Sequence, residues 1–159
     1  LIDRMNDGPA RSVITVEDPI EVLHSDRVCA INQREVGLDT ASFADALARV
    51  LRQDPDVVMI GSLDDPRALE IALDAVASGV LVIAATAASD PAEAVERLLA
   101  LVPPYRQAPM RTALAGALRA VVCQRLVPGP DGSGRRPQVR MVSGGDDIAA
   151  LVRAAAGAS

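Results

Sequence analysis

The sequence predicts an α/β domain whose mainly parallel sheet is flanked by helices. Three observations carry that prediction. Two short runs, 56–61 (DVVMIG) and 81–85 (LVIAA), are near-continuously apolar, the pattern of strands covered on both faces. Capped or amphipathic helical segments alternate with them. Hydrophobic residues make up 50% of the 159 residues and charged residues 23%, the balance of a folded chain rather than a disordered one.

The elements follow in order. Leu1, Ile2 and Met5, followed by Asn6-Asp7-Gly8, read as the last turns of a helix and its stop signal. No cap precedes them and so short a helix does not form alone, so the segment reads as cut mid-helix, with sequence expected upstream. Residues 12–17 (SVITVE) and 28–33 (VCAINQ) are β-rich. Phe43, Leu47, Val50 and Leu51 give 42–52 an apolar helical stripe, capped by Thr40 or Ser42. The runs 56–61 and 81–85 are the two buried strands. Between them 66–78 is helical, with Pro66 in the first turn and Gly79 as its stop. Asp90 caps a helix over 91–102 that Pro103-Pro104 closes. A further helix is expected over 110–123, a turn-rich loop over 128–137 (PGPDGSGRRP), a strand over 138–142 and a last helix over 146–156. The Ala-rich tail, 151–159, is expected to fray.

Composition removes several function classes. The net charge is −5 and every cation other than His24 is Arg, with no Lys in the chain, so general nucleic-acid binding is not expected. Aromatics are 1% and Trp is absent, which leaves a core of Ala, Val, Leu and Ile. Cys29 and Cys123 lie far apart, outside any CxxC or Cys/His cluster, so no metal site is expected and both read as buried structural thiols. The longest apolar stretch, 80–88, is about half a membrane span, and no basic leader opens the chain. Membrane insertion is not expected, and the expected location is the cytoplasm. His24, the only histidine, reads as an exposed loop residue.

In parallel sheets function gathers at the carboxyl ends of the strands. The first such end carries Glu17, Asp18 and Glu21, with Pro19 setting the exit of the chain. Such acids can hold Mg²⁺ or orient a water at a phosphoryl-transfer site, or they can simply cap neighbouring backbone amides. The second end reads Gly61-Ser62-Leu63-Asp64-Asp65. An apolar strand ending in an acid is the layout of a Walker B element. Here Ser62 comes first, and Ser is not a general base without help. The other reading is a core strand with Asp64 or Asp65 capping the next helix. The third end is 85–90. A GxxxxGK[ST] phosphate loop cannot exist without Lys.

Four ordered segments then carry a resemblance: 14–21 (ITVEDPIE), 31–37 (INQREVG), 51–61 (LRQDPDVVMIG) and 124–128 (QRLVP). Together they are similar to the motor ATPases of type IV pili and type II secretion, most of all the twitching-motility, PilT-like retraction branch. The resemblance covers residues 1 to about 145 and implies a RecA-like P-loop NTPase core, N-terminally incomplete, followed by a C-terminal helix and tail over 146–159. It implies ATP and Mg²⁺ as the family's ligands, a homo- or hetero-oligomeric (hexameric) ring, and a pilus or secretion platform at the inner membrane as partner. It makes Glu17 the acid of the Asp box, with Asp18 and Glu21 beside the nucleotide, and it puts the Walker A loop upstream of Leu1.

The departures from the family pattern are specific. Ser62 stands where the family carries the Walker B Glu, Asp64 where it carries an Arg, and Ala87 where it carries the His-box His. Loss of a water-activating carboxylate is worth about 10²–10⁴-fold in rate. Two functions follow as expectations. The chain is part of a retraction motor that neither binds ATP nor hydrolyses it alone, or it is a degenerate, non-catalytic paralogue acting as a structural or regulatory ring subunit. With a sheet strand expected to be missing, parts of the apolar faces of 57–61 and 81–85 are expected to be uncovered.

Overall fold

The computed structural model describes residues 1–130, 132 and 134–155. The chain divides into two compact units, Leu1–Thr86 and the residues from Ala87 onward. The first contains α1 (Ile2–Met5), β1 (Ser12–Glu17), β2 (Ala30–Glu35), α2 (Phe43–Val50), β3 (Val57–Ile60), α3 (Pro66–Ala77) and β4 (Leu81–Ala84). Its four strands form one parallel sheet in the order β2-β1-β3-β4. The expected helical segment at 1–8, the 12–17 strand and the 56–61 strand are all found. The second strand starts two residues later than the β-rich run suggested, because Val28 and Cys29 are still engaged by Asn6.

Each helix starts for a local reason. Ser42, not Thr40, caps α2, its Oγ accepting from the Asp45 N–H at 3.1 Å. Asp65 caps α3, accepting from the N–H groups of Arg67 and Ala68 at 3.1 and 3.2 Å, and Pro66 presets the first turn. The α3 helix ends where Gly79 takes a φ of 95°, a left-handed value that favours glycine. In the sheet, Val13, Ile14, Val16, Val57, Val58 and Ile60 are buried. Ile2 and Met5 of α1 pack on Val13, Cys29 and Val57.

Asn6, directly after α1, ties this corner together. It is 1% exposed. Its Nδ2 donates to Ser25 O at 2.7 Å, and its Oδ1 accepts from the N–H groups of Arg27 and Cys29 at 3.1 and 3.2 Å. Its carbonyl accepts from the Val28 N–H at 3.2 Å. Arg27 adds ion pairs to Asp3 and Asp7 at 2.8 and 2.9 Å on the surface.

One strand differs from expectation. The 81–85 run was expected to be buried on both faces, but β4 is the edge of its sheet, Leu81 is 41% exposed and Ala84 is exposed. Apolar composition alone does not distinguish a covered strand from an open edge. The converse correction applies to β3. Its apolar side chains at 57, 58 and 60 are buried rather than uncovered, and Val57 packs in a cluster with Ile2, Val13 and Cys29.

The second unit contains α4 (Pro91–Ala100), α5 (Pro104–Ala117), β5 (Ala120–Pro128), β6 (Arg135–Ser143) and α6 (Gly145–Ala154). Asp90 caps α4 as expected, accepting from the N–H groups of Ala92 and Glu93 at 2.8 and 3.1 Å. The helix expected over 110–123 is instead α5, which starts at Pro104 and ends before Leu118. Pro104 opens a helix rather than closing one, and Pro109 sits inside it. Ala120 to Pro128 then form β5, paired antiparallel with β6. The strand expected over 138–142 grows to nine residues, and the loop expected over 128–137 shrinks to the turn between β5 and β6. Of the tail expected to fray, 151–154 instead belong to α6, because Val152 is buried; Asp131, Ser133 and 156–159 lie outside the described residues.

Both cysteines are buried, as their apolar settings suggested. Burial pushes the Cys123 thiol above its ordinary range, Asp90 adds to the shift, and Arg140 opposes it. A thiol raised in the folded state stays neutral at pH 7 and is unreactive. Native protein is therefore expected to show at least about tenfold slower iodoacetamide labelling of Cys123 at pH 7 than the urea-unfolded chain, with the native rate rising only at more alkaline pH than the unfolded one. Site-resolved mass spectrometry reads this, and equal native and unfolded rates would contradict it. At the start of α4, the Ser89 hydroxyl and then the Ser89 amide hold the exposed Glu93 carboxyl below its ordinary range. That cap is present above the unfolded carboxylate's pKa and is lost as pH falls through the folded one.

Candidate functional site

Glu17 is the last residue of β1 and stands at the carboxyl end of the sheet. Its cross-strand partner on β2 is Glu35. On the other side the chain leaving β3 passes very close. The Gly61 N–H donates to Val16 O at 2.8 Å, and a Cβ on Gly61 would lie 3.2 Å from both Glu17 Cα and Val16 O. Glycine at 61 is what lets the two strand ends approach.

The Glu17 side chain is half-buried, and its two hydrogen bonds fall on one oxygen. Oε1 accepts from Thr15 Oγ1 at 2.7 Å and from Gln33 Nε2 at 2.9 Å. Thr15 and Gln33 are register partners, so all three side chains share one face of the sheet. Oε2 has no protein donor among the described residues. Asp18 and Glu21 are exposed, and neither makes a side-chain hydrogen bond or ion pair among the described residues.

The twelve residues between β1 and β2 form a parallel connection without a helix. Long connections of this kind are uncommon in compact domains. Acids do cap amides here, as one reading of the sequence allowed, but they are not the acids of that loop's start. Glu35 Oε2 accepts from the Ile20 N–H at 2.9 Å, and Asp26 Oδ1 accepts from the Ile31 N–H at 2.9 Å. Gln33 Oε1 accepts from the His24 N–H at 2.7 Å, and its Nε2 also donates to Val22 O at 2.9 Å. His24 is half-buried rather than exposed because this tie holds its backbone. Thr15, Gln33 and Glu35 went unnoticed as site residues. The signal was their alternation along two neighbouring strands, which puts them on Glu17's face once the register is known.

Ser62 follows Gly61, and its Oγ donates to Asp64 Oδ2 at 3.3 Å. The segment is zipped to the end of β4. The Leu63 N–H donates to Ala85 O at 2.8 Å, and the Ala85 N–H donates to Ile60 O at 2.9 Å. Ser62 therefore belongs to the same edge of the sheet as Glu17, with a hydroxyl and no ionisable group. Ala87 is exposed and opens the second unit, with only a methyl group to offer.

The sequence pattern of the type II/IV secretion system protein family matches residues 2–154. The chain belongs to that family. Within it, the chain is similar to PilT-like pilus ATPases. It is 38% identical over 153 residues to the type IV pilus ATPase PilU of Pseudomonas aeruginosa, covering 96% of this chain and 40% of PilU. It is 33% identical to the type IV pilus retraction ATPase PilT of the same organism, covering 96% of this chain and 44% of PilT. Its structure matches that of the pilus retraction motor PilT with bound ADP at a TM-score of 0.86 and 36% identity, covering 96% of this chain and 44% of that one. The fold is therefore the RecA-like α/β fold of that motor's ATPase domain. This family member spans under half the length of these relatives.

The PilT match, solved with ADP, makes a nucleotide the group to test against these residues. The chain has no Lys and no GxxxxGK[ST] loop to wrap a triphosphate. Among the described residues, no three His, Cys, Asp or Glu side chains group as metal ligands. Glu17 and Ser62 stand at one end of the sheet, and the residues present do not fit a complete ATP and Mg²⁺ site. Among the described residues, no helix is long and apolar enough to cross a membrane.

Proposed function

We propose that this chain supplies the acidic flank of the nucleotide site of a pilus-retraction motor ATPase, with Glu17 as its acid, and does not bind or hydrolyse ATP by itself. The observation that carries the reading is the Glu17 carboxylate, fixed at the carboxyl end of the sheet through Oε1 with Oε2 left open. Asp18 and Glu21 are outer acids of the same rim, exposed to solvent. ATP and Mg²⁺ belong to the complete motor, where additional groups must grip the phosphates. The assembly in which the chain works is an oligomeric ring at a cytoplasmic pilus or secretion platform, in keeping with its pilus-ATPase relatives.

A second reading has its own observation. Ser62 and Ala87 both lie inside the matched region 2–154, which supports reading them as replacements of the Walker B carboxylate and the His-box imidazole that the resemblance implies. On that reading the chain is a non-catalytic ring subunit. One experiment separates the two. The chain is joined to an upstream segment bearing a GxxxxGK[ST] loop, and steady-state ATP turnover is measured. Incomplete coverage alone predicts turnover with Ser62 unchanged. Substitution in place predicts turnover only with Ser62→Glu and Ala87→His, a gain of about 10²–10⁴-fold. Turnover that survives Glu17→Ala would remove Glu17 from either account.

A further inference from the structure

Among the described residues, Gln33 is the one side chain that hydrogen-bonds both the Glu17 carboxylate and the long loop following it. Its carboxamide uses a donor and an acceptor at once. Nε2 donates to Glu17 Oε1 and to Val22 O, each at 2.9 Å, and Oε1 accepts from the His24 N–H at 2.7 Å. Thr15 Oγ1 adds a second donor to the same Glu17 oxygen at 2.7 Å. A carboxylate with two donors on one oxygen is held in one rotamer, and its other oxygen faces no protein donor among the described residues.

The register explains why Gln33 can do this. It sits directly opposite Thr15 and two residues before Glu35, on the same face as Glu17. Glu35, the residue directly opposite Glu17, would place like charges side by side. It is instead engaged by the Ile20 N–H. Both β2 side chains thus hold the connection between β1 and β2, and Gln33 links it to the acid.

We propose that Gln33 is a positioning residue that fixes the rotamer of Glu17 and couples it to the loop 18–24, so that Glu17 and the loop move as one unit. Anything that draws on the Glu17 carboxylate then displaces Val22 and His24, and a change in the loop turns the acid. The significance of the coupling rests on the reading of Glu17 as the site's acid, but its existence does not, because the following measurements contain no nucleotide.

The test is a reciprocal exchange in the full chain. Gln33→Glu keeps the size of the side chain and its acceptor for His24. It removes the donor and sets a second carboxylate against Glu17. Adding Glu17→Gln restores a donor–acceptor pair with the roles reversed. Urea denaturation is expected to show the folding equilibrium constant reduced at least tenfold in Gln33→Glu and recovered by about tenfold in the double variant. Glu17→Gln made alone is expected to weaken folding, so its effect changes sign between the two backgrounds. A residue that merely fills space tolerates the Glu and shows no such reversal. Equal effects of Glu17→Gln in both backgrounds would overturn the proposal. Should Gln33→Glu fail to fold, the side-chain amide signals of Gln33 decide by NMR. They are expected to move when Glu17→Asp shortens the acid, and unchanged signals would overturn the proposal. Hydrogen exchange at the His24 amide reports the loop. It is expected to accelerate about tenfold in Gln33→Leu, and an unchanged rate would remove the loop from the unit.

Discussion

Asn6→Ala is expected to cost about 3–5 kcal/mol of folding stability, the largest loss among single substitutions outside the apolar core. The side chain is almost wholly buried and makes three hydrogen bonds to backbone atoms of the loop before β2. Truncation leaves the amides of Arg27 and Cys29 and the carbonyl of Ser25 without their partner. The Cys29 amide is buried and the other two groups are partly so, and a group that cannot reach water costs about 1–3 kcal/mol. The surface ion pairs of Arg27 contribute far less, about 0–1 kcal/mol each, since both partners are substantially exposed. Urea denaturation of Asn6→Ala beside Asp3→Ala checks the ranking. A loss under about 1 kcal/mol for Asn6→Ala, or a larger one for Asp3→Ala, would mean that water replaces the asparagine.

Gly61→Val is expected to be the most damaging change at the site. Even a single Cβ there meets Glu17 Cα and Val16 O at 3.2 Å, and both are backbone atoms that cannot rotate away. A branched side chain must push the ends of β1 and β3 apart, breaking the bond from the Gly61 N–H to Val16 O. Forced overpacking costs about 1–3 kcal/mol, and a lost backbone bond adds about 1 kcal/mol. Gly61→Ala is expected to fall well below Gly61→Val. Thermal and urea melts, with backbone amide shifts at Val16 and Glu17, read both effects. A Gly61→Val protein with wild-type stability and unshifted Glu17 signals would show that the strand ends are not held this closely.

Helix starts were legible in both units because their signals are local. Asp-Pro at 65–66 and at 90–91 gives a cap followed by a preset first turn, and both helices start there. The same dipeptide at 18–19 begins no helix, because the chain that follows is held by Glu35 and Gln33 from the neighbouring strand. Those partners are 15 and 11 residues from the atoms they bind, so no local pattern reveals them. The same limit explains β4. Leu81, Val82 and Ile83 look alike in a central strand and an edge strand, and only the strand order separates the two. In the second unit, Pro103-Pro104 was ambiguous between an end and a beginning. Both prolines are compatible with either, and the strand β5 became visible only through its long antiparallel pairing with β6. At the candidate site, the sequence put Glu17, Asp18 and Glu21 after an apolar strand, and only the resemblance of 14–21 singled out Glu17. Thr15 and Gln33 were not singled out, since their importance lies in the register between β1 and β2.

The central claim is that these 159 residues hold the acidic side of a nucleotide site without the side that grips phosphate. Isothermal titration of Mg·ATP into the purified chain tests it most directly. The account predicts no saturable heat up to millimolar nucleotide, identical for wild type and Glu17→Ala. Saturable binding by the wild-type chain that disappears in Glu17→Ala would contradict it.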